Sequence, residues 1–221
     1  MKRFQFASIG ISLLISGCTS DSHMAYQTIH DAFVAPPNAS ISAQQLAQLP
    51  YAASYIQMRD ASRALVILAK AKGDERMWVS HQKEAVVTRF GRIIRTDGLK
   101  PANIKGVHFV DGDPLRHGLT SLKLQHYQAK GYIDLMPDYQ YGLPFTARYV
   151  VKGMASKMIG GHVIQLTEVD EYYELPQLGF HTVNKYWLSS RGLVRQSEQQ
   201  LSPTLPPFKM TLLKPYQQDL Q

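Results

Sequence analysis

This sequence predicts a mainly β fold, an antiparallel barrel-like or half-barrel domain with one short N-terminal helix, on three observations. Phe145, Ala147, Tyr149 and Val151 interleave with Thr146, Arg148, Val150 and Lys152, the period-two pattern of a strand with one buried face. Leu122, Leu124 and His126 repeat it, as do Met210 and Leu212. Turn signals separate the apolar runs at short spacing: Lys72-Gly73-Asp74, Phe90-Gly91, Asp97-Gly98, Asp111-Gly112-Asp113-Pro114, Gly160-Gly161 and Ser190-Arg191-Gly192. Finally, the apolar runs at residues 64–69 and 85–87 read as better-buried strands. Many short strands with regular turns favour an antiparallel sandwich or barrel, and barrel closure removes the sheet edges through which strands aggregate.

Taken in order, the chain opens on a signal segment. Lys2 and Arg3 precede an apolar stretch from residue 4 to 15, and the small residues Ser16 and Gly17 lead to Cys18, the one cysteine of the chain. That layout resembles a bacterial lipoprotein signal, in which the thiol is acylated and the chain is cut just before it. The stretch is too short to span a membrane, and no later segment has the roughly 20 consecutive apolar residues of a transmembrane helix. Residues 1–17 are therefore expected to be removed, leaving Cys18 as a lipid anchor that binds membranes durably when it carries several acyl chains. In that class of lipoprotein an Asp after the cysteine marks inner-membrane retention. Thr19 stands there instead, which implies a lipid-anchored protein of the outer membrane facing the periplasm.

Residues 18–40 are polar, contain Pro36 and Pro37 and read as a tether that gives the following domain reach. A short helix is expected next, because Ser42 can cap a first turn with Gln45 three residues on, and Pro50 stops it after Leu46 and Leu49. Residues 41–221 are expected to form a single mainly β domain, since no Gly/Ser-rich or Pro-rich linker divides the middle of the chain. Its interior is predicted to include Val66, Ile67, Leu68, Trp78, Val87 and Trp187.

Composition limits the functional classes. With 44% hydrophobic and 19% charged residues the chain is globular rather than disordered. The formal charge is +7; once Lys2 and Arg3 are gone about +5 remains in side chains, a mild excess that suits a solvated mixed surface or attraction to anionic polysaccharide. There is no basic cluster or recognition motif for nucleic acid. With Cys18 committed to lipid, no disulfide supports the fold and stability must come from the core.

The ordered series Leu46-Ala47-Gln48-Leu49-Pro50-Tyr51-Ala52-Ala53-Ser54-Tyr55, Ala64-Leu65-Val66-Ile67-Leu68-Ala69, Met77-Trp78-Val79-Ser80 and Val87-Thr88-Arg89-Phe90-Gly91-Arg92-Ile93-Ile94-Arg95-Thr96-Asp97-Gly98-Leu99 resembles the group 4 capsule polysaccharide lipoprotein family, the YjbF/GfcB type. The resemblance resumes at Tyr186-Trp187-Leu188, at Gly192-Leu193-Val194-Arg195-Gln196-Ser197 and at Lys214-Pro215-Tyr216. Residues 100–180 match less clearly. The resemblance implies a mainly β, barrel-like domain that serves polysaccharide export or assembly at the outer membrane, with exopolysaccharide or capsule secretion proteins and the polysaccharide itself as expected partners and no established catalytic site.

The residues themselves offer few sites. Asp170, Glu171 and Glu174 are the densest carboxylates, and a glycosidase needs two about 5 to 10 Å apart. On a strand Asp170 and Glu171 point to opposite faces, and Asp170 and Glu174 are about 13 Å apart along the backbone, so an acidic surface rim is the expectation. His108, His117 and His126 recur every nine residues, which is no metal-ligand spacing. The segment beginning Asp111-Gly112-Asp113 starts like a calcium loop but has Leu122 where the bidentate Glu belongs. The sequence predicts no metal, no cofactor and no catalytic residue. Trp78, Trp187, Tyr172 and Tyr173 are the candidates for a glycan or partner platform, with core packing favoured for each tryptophan and exposure for the tyrosines. The rival readings are a polysaccharide-modifying enzyme, with converging carboxylates or a Ser/His pair, and a carrier of lipid or lipid-linked glycan, with a continuous apolar cavity.

Overall fold

The structure is a computed structural model that describes residues 38–59, 61–119 and 127–220. Cys18, nearly all of the 18–40 tether, and the strand read at Leu122, Leu124 and His126 lie outside the described residues. A single 12-stranded antiparallel sheet dominates. Its strands are β1 (Ala53–Met58), β2 (Ala64–Lys72), β3 (Glu75–Val79), β4 (Ala85–Arg89), β5 (Arg92–Asp97), β6 (Asn103–Phe109), β7 (Tyr127–Met136), β8 (Gln140–Ile159), β9 (His162–Leu175), β10 (Phe180–Leu188), β11 (Val194–Gln199) and β12 (Phe208–Lys214).

The topology is a meander. Spatial order runs β5-β4-β3-β2-β1-β12-β11-β10-β9-β8-β7-β6, so every hydrogen-bonded pair is consecutive in sequence except β1 with β12. The sheet curls until its ends, β5 and β6, face each other in a nearly closed barrel. Side chains bridge that seam: Ile104 N donates to Thr96 Oγ1 at 2.9 Å, and Thr96 Oγ1 lies 3.2 Å from Asn103 Oδ1. β5 also leans across to β11, where Gln199 Oε1 accepts from Ile93 N and Gln199 Nε2 donates to Gly91 O. The turns named from sequence at residues 72–74, 90–91, 160–161 and 190–192 each join consecutive paired strands.

Alternation divides the apolar residues between two cores. The interior holds Val66, Trp78, Val87, Ile93, Ile133, Phe145, Val169, Tyr186, Leu188 and Phe208 among others. A smaller cluster, with Leu65, Trp187, Leu213, Ala53 and Leu166, lies on the opposite face of the same sheet. Two elements cover it. The hairpin of β8 and β9 runs beyond its neighbours and brings Ile159 and Leu166 onto this cluster, and the segment before β1 brings Ala39 and Leu49. That segment carries helix α1 (Ala43–Gln48), closed by the capping box read from sequence: Ser42 Oγ accepts from Gln45 N, and Gln45 Oε1 accepts from Ser42 N.

Two expectations are adjusted. Val151 is 44% exposed, not buried with Phe145, Ala147 and Tyr149, because the ladder slips between Val151 and Gly153 as β8 leaves the barrel. Ile67 is half-buried; Val66, Leu68, Trp78, Val87 and Trp187 are buried as predicted.

Candidate functional site at the barrel mouth

One charged network sits inside the apolar barrel. Arg92 opens β5, faces inward and has no exposed surface. A guanidinium has five N–H donors, and each of its three nitrogens has a hydrogen-bond partner, with Glu171 added as an ion pair. Nε and Nη2 fork onto Asp113 Oδ2 and Oδ1 at 2.7 and 3.3 Å, Nη2 also reaches Tyr149 Oη at 2.9 Å, and Nη1 reaches Tyr186 Oη at 2.9 Å and Glu171 Oε1 at 2.8 Å. Glu171 is equally sequestered: Oε1 also accepts from Tyr149 at 2.5 Å and Oε2 from Asn184 Nδ2 at 2.7 Å. The single proton of Tyr186 has Glu171 Oε2 at 3.1 Å and Gln199 Oε1 at 3.2 Å as acceptors.

The electrostatics follow from burial. Burial pulls the Arg92 guanidinium down, but Asp113 and Glu171 outweigh it, so its pKa lies well above the usual arginine value. Burial, opposed by Arg92 and reinforced by Glu171, holds the Tyr149 and Tyr186 hydroxyls well above the usual tyrosine range. The group carries two carboxylates against one guanidinium, and the Asn184 and tyrosine donors stabilise the excess negative charge. The Phe109 ring, 4.7 Å from the guanidinium carbon, closes one side.

The network also shapes the end of the barrel. Asp113, besides pairing with Arg92, accepts from Leu115 N at 3.0 Å and caps the 3-10 turn Pro114–His117. Leu115 and Leu119 anchor this turn in the core, while Arg116 and His117 stay exposed. Gly118 then meets Gly192 of the β10–β11 loop so closely that a Cβ on either would lie 2.4 or 2.6 Å from the other's Cα. Only glycine permits that approach. Beside this contact opens a cleft of about 470 Å³ whose walls include Trp78, Thr88, Ser197 and Met210 and whose rim carries Arg76, Arg116, Arg191 and Arg195. A second cleft of about 490 Å³ adjoins it past Phe90 and Arg116.

With this geometry in view, relatives identify the lineage. Residues 26–213 match the family model described as group 4 capsule polysaccharide lipoprotein gfcB, YjbF. The chain belongs to this family. It is similar to two proteins of Escherichia coli (strain K12): an uncharacterized lipoprotein, YjbF, 29% identical with 94% of this chain and 96% of that one covered, and an uncharacterized lipoprotein, GfcB, 24% identical with 92% and 95% covered. Among solved structures it resembles the hypothetical lipoprotein YmcC from Escherichia coli (K12), with a TM-score of 0.72 and 25% identity over 91% of this chain and 98% of that chain.

In this group 4 capsule lipoprotein the four platform candidates do not converge. Trp78 is buried at the cleft wall, its Nε1 donating to Thr88 Oγ1 at 2.9 Å. Trp187 belongs to the outer cluster, where its Nε1 donates to Glu168 Oε2 and Lys157 Nζ sits 3.7 Å from the ring centroid. Tyr172 is half-buried beneath the Arg148 guanidinium, 4.1 Å away. Tyr173 is the correction: it is 1% exposed, because 169, 171, 173 and 175 are the inward positions of β9, and it packs against Phe145 with its hydroxyl unpartnered. The acidic rim is corrected too, for Glu171 by the same inward phase. Glu171 and Asp170 are both buried, on opposite faces, and only Glu174 is exposed.

Sequence reasoning missed Arg92, Asp113, Tyr149, Tyr186, Asn184 and Gln199 as a unit. The available signal was charge out of place: Arg92 directly precedes Ile93-Ile94, and Glu171 occupies the inward phase of Val169, Tyr173 and Leu175. Among the described residues no group of three or more His, Cys, Asp or Glu side chains comes together as metal ligands.

Proposed function

We propose that this protein is an outer-membrane lipoprotein, anchored through Cys18 and facing the periplasm, that assists export or assembly of a capsule-type polysaccharide without catalysing a reaction on it. One observation carries the non-enzymatic reading: Glu171 and Asp113, the two carboxylates of the interior network, are spent on Arg92, whereas a glycosidase needs one carboxyl free to give up a proton and another free to attack or to activate water. Family membership supports the polysaccharide role. The carrier reading has less support, since side chains from every strand fill the barrel interior.

The mechanism is positioning. Lipid confines the barrel to the membrane surface, residues 18–40 give it reach, and the mouth meets polymer or a secretion protein. Deleting the protein should lower surface polysaccharide, and Cys18→Ala should abolish acyl labelling and release the chain from membranes. Shortening or deacylation of native polymer by the purified protein would overturn the non-enzymatic reading, and acylation persisting in the Cys18→Ala protein would overturn the anchor.

A further inference from the structure

Four arginines, Arg76, Arg116, Arg191 and Arg195, line the mouth cleft against two carboxylates, Asp74 and Asp219. Of its rim arginines, Arg76 forms a short ion pair with Asp219, and Arg191 Nη1 donates to Leu220 O at 3.2 Å. Both partners come from one element, the 3-10 turn Gln217–Leu220. Arg116 has no side-chain partner among the described residues. Arg195 Nη2 donates to Leu212 O at 3.3 Å, but its Nε is buried with no partner, and burial lowers its pKa. A buried guanidinium donor left unmet is costly.

The walls below the rim alternate apolar and polar groups. Trp78, Met210 and Leu115 line it with carbon, while Thr88, Gln196 and Ser197 line it with polar groups, of which Thr88 Oγ1 accepts from Trp78 Nε1 and Ser197 Oγ from Gln199 Nε2. A sugar ring needs both, because its C–H face packs on aromatic and aliphatic carbon while its hydroxyls need partners. A carboxylate on that ring matches the arginine forks above, which bind planar oxyanions in bidentate fashion. The volume of about 470 Å³ lies within the range of small-ligand sites.

We infer that the barrel mouth binds a carboxylate-bearing saccharide, and that Asp219 holds the place of the ligand's carboxylate on Arg76 in the free protein. The inference rests on the polysaccharide role proposed above and names the chemistry of the polymer unit. The turn Gln217–Leu220 acts as a built-in competitor. Its removal from Arg76 and Arg191 frees two cations at the point where Arg116 and Arg195 already face the cleft.

The test titrates the full lipidated protein, in detergent, with oligogalacturonate, with neutral maltohexaose and with polyglutamate, the last carrying carboxylates without sugar. Binding is read by tryptophan fluorescence in a Trp187→Phe background, so that the signal reports Trp78. Oligogalacturonate should bind saturably and at least about tenfold more tightly than either control. Arg116→Gln should weaken it roughly tenfold, the loss of one charge-assisted contact. Asp219→Asn should tighten it about threefold or more by removing the competing carboxylate. No saturable binding, equal binding of maltohexaose or of polyglutamate, or an affinity unmoved by both substitutions overturns the inference. Unchanged melting temperatures show that the variants fold. If binding fails while deletion of the protein still lowers surface polysaccharide, this site falls and the export role stands; if binding holds while surface polysaccharide is unaffected by deletion, the reverse is true.

Discussion

Arg92→Met tests how much of the fold depends on the buried network. The substitution keeps roughly the aliphatic length of the side chain and removes all five donors. It leaves Asp113 and Glu171 buried, the first with its capping bond and the second with Tyr149, Asn184 and Tyr186, but neither with a countercharge. Breaking a buried pair by removing one partner costs about 3 to 5 kcal/mol. For a domain of this size that is a fall in melting temperature of about 6 to 20 °C. Chemical denaturation at neutral pH measures the free energy, with an unchanged m-value as evidence that the same surface unfolds. Glu171→Gln completes a double-mutant cycle. Once the arginine is gone the neutral amide should be less harmful than it is in the native network, a coupling of about 1 to 3 kcal/mol. A cost for Arg92→Met below about 1 kcal/mol, or single-variant costs that simply add, would refute the claim that these charges act as one unit.

Three further outcomes follow from the same structure. Tyr173→Phe should be neutral or stabilising by up to about 1 kcal/mol, because it deletes a buried hydroxyl that has no partner, whereas Tyr149→Phe should cost about 1.5 to 3 kcal/mol by removing hydrogen bonds to two charged groups; thermal melts of the two proteins decide. Alkaline pH should unfold the protein early. Tyr149, Tyr173 and Tyr186 have folded pKa values raised, chiefly by burial, so the folded state keeps its protons longer; stability is intact below the unfolded tyrosine value of about 10 and falls above it by up to about 1.4 kcal/mol per pH unit for each tyrosine. Denaturation curves from about pH 9 to about pH 11 should show this slope, shallower by about a third in Tyr149→Phe, and a flat profile would contradict it. Trp187→Ala should cost about 3 to 5 kcal/mol and expose the β8–β9 hairpin to protease, since the ring lies in the cluster that Ile159 and Leu166 cover.

Local features of this chain were legible because their causes are local. The Ser42–Gln45 capping box, the glycine turns at 73, 91, 160 and 192, and the alternation from Phe145 to Tyr149 each depend on residues within a few positions of one another. The network was not, since Arg92 meets Asp113 at 21 residues and Tyr186 at 94 residues of separation. Nor could alternation alone separate the two cores. Trp187 and Tyr186 are adjacent and both buried, one outside the barrel and one within, because the β8–β9 hairpin folds onto a face that would otherwise be solvated. The inward phase of β9 buries Tyr173, and it buries the charged Glu171 as well only because a cation from β5 meets it there.

Stability alone does not explain why the barrel keeps charges in its interior. A buried ion pair replaced by well-packed apolar residues is often neutral or stabilising, and the interior already has Ile93, Ile133, Phe145 and Phe208 at or below 2% exposure to support the fold. Placement is what the charges supply. Arg92 ties β5 to Tyr149 on β8, Glu171 on β9 and Tyr186 on β10, and through Asp113 to the 3-10 turn that ends at Gly118. The directional fork onto Asp113 fixes where that turn begins, and the Gly118–Gly192 contact fixes where it ends. A methionine or leucine could fill the same volume without setting either. Arg116 rides on this turn and Arg191 sits beside Gly192, so the spacing of two rim cations is set from below by one buried side chain. Disturbing Arg92 should therefore alter the mouth even where the barrel survives, and Gly192→Ala should do so from the other side, with the core left intact.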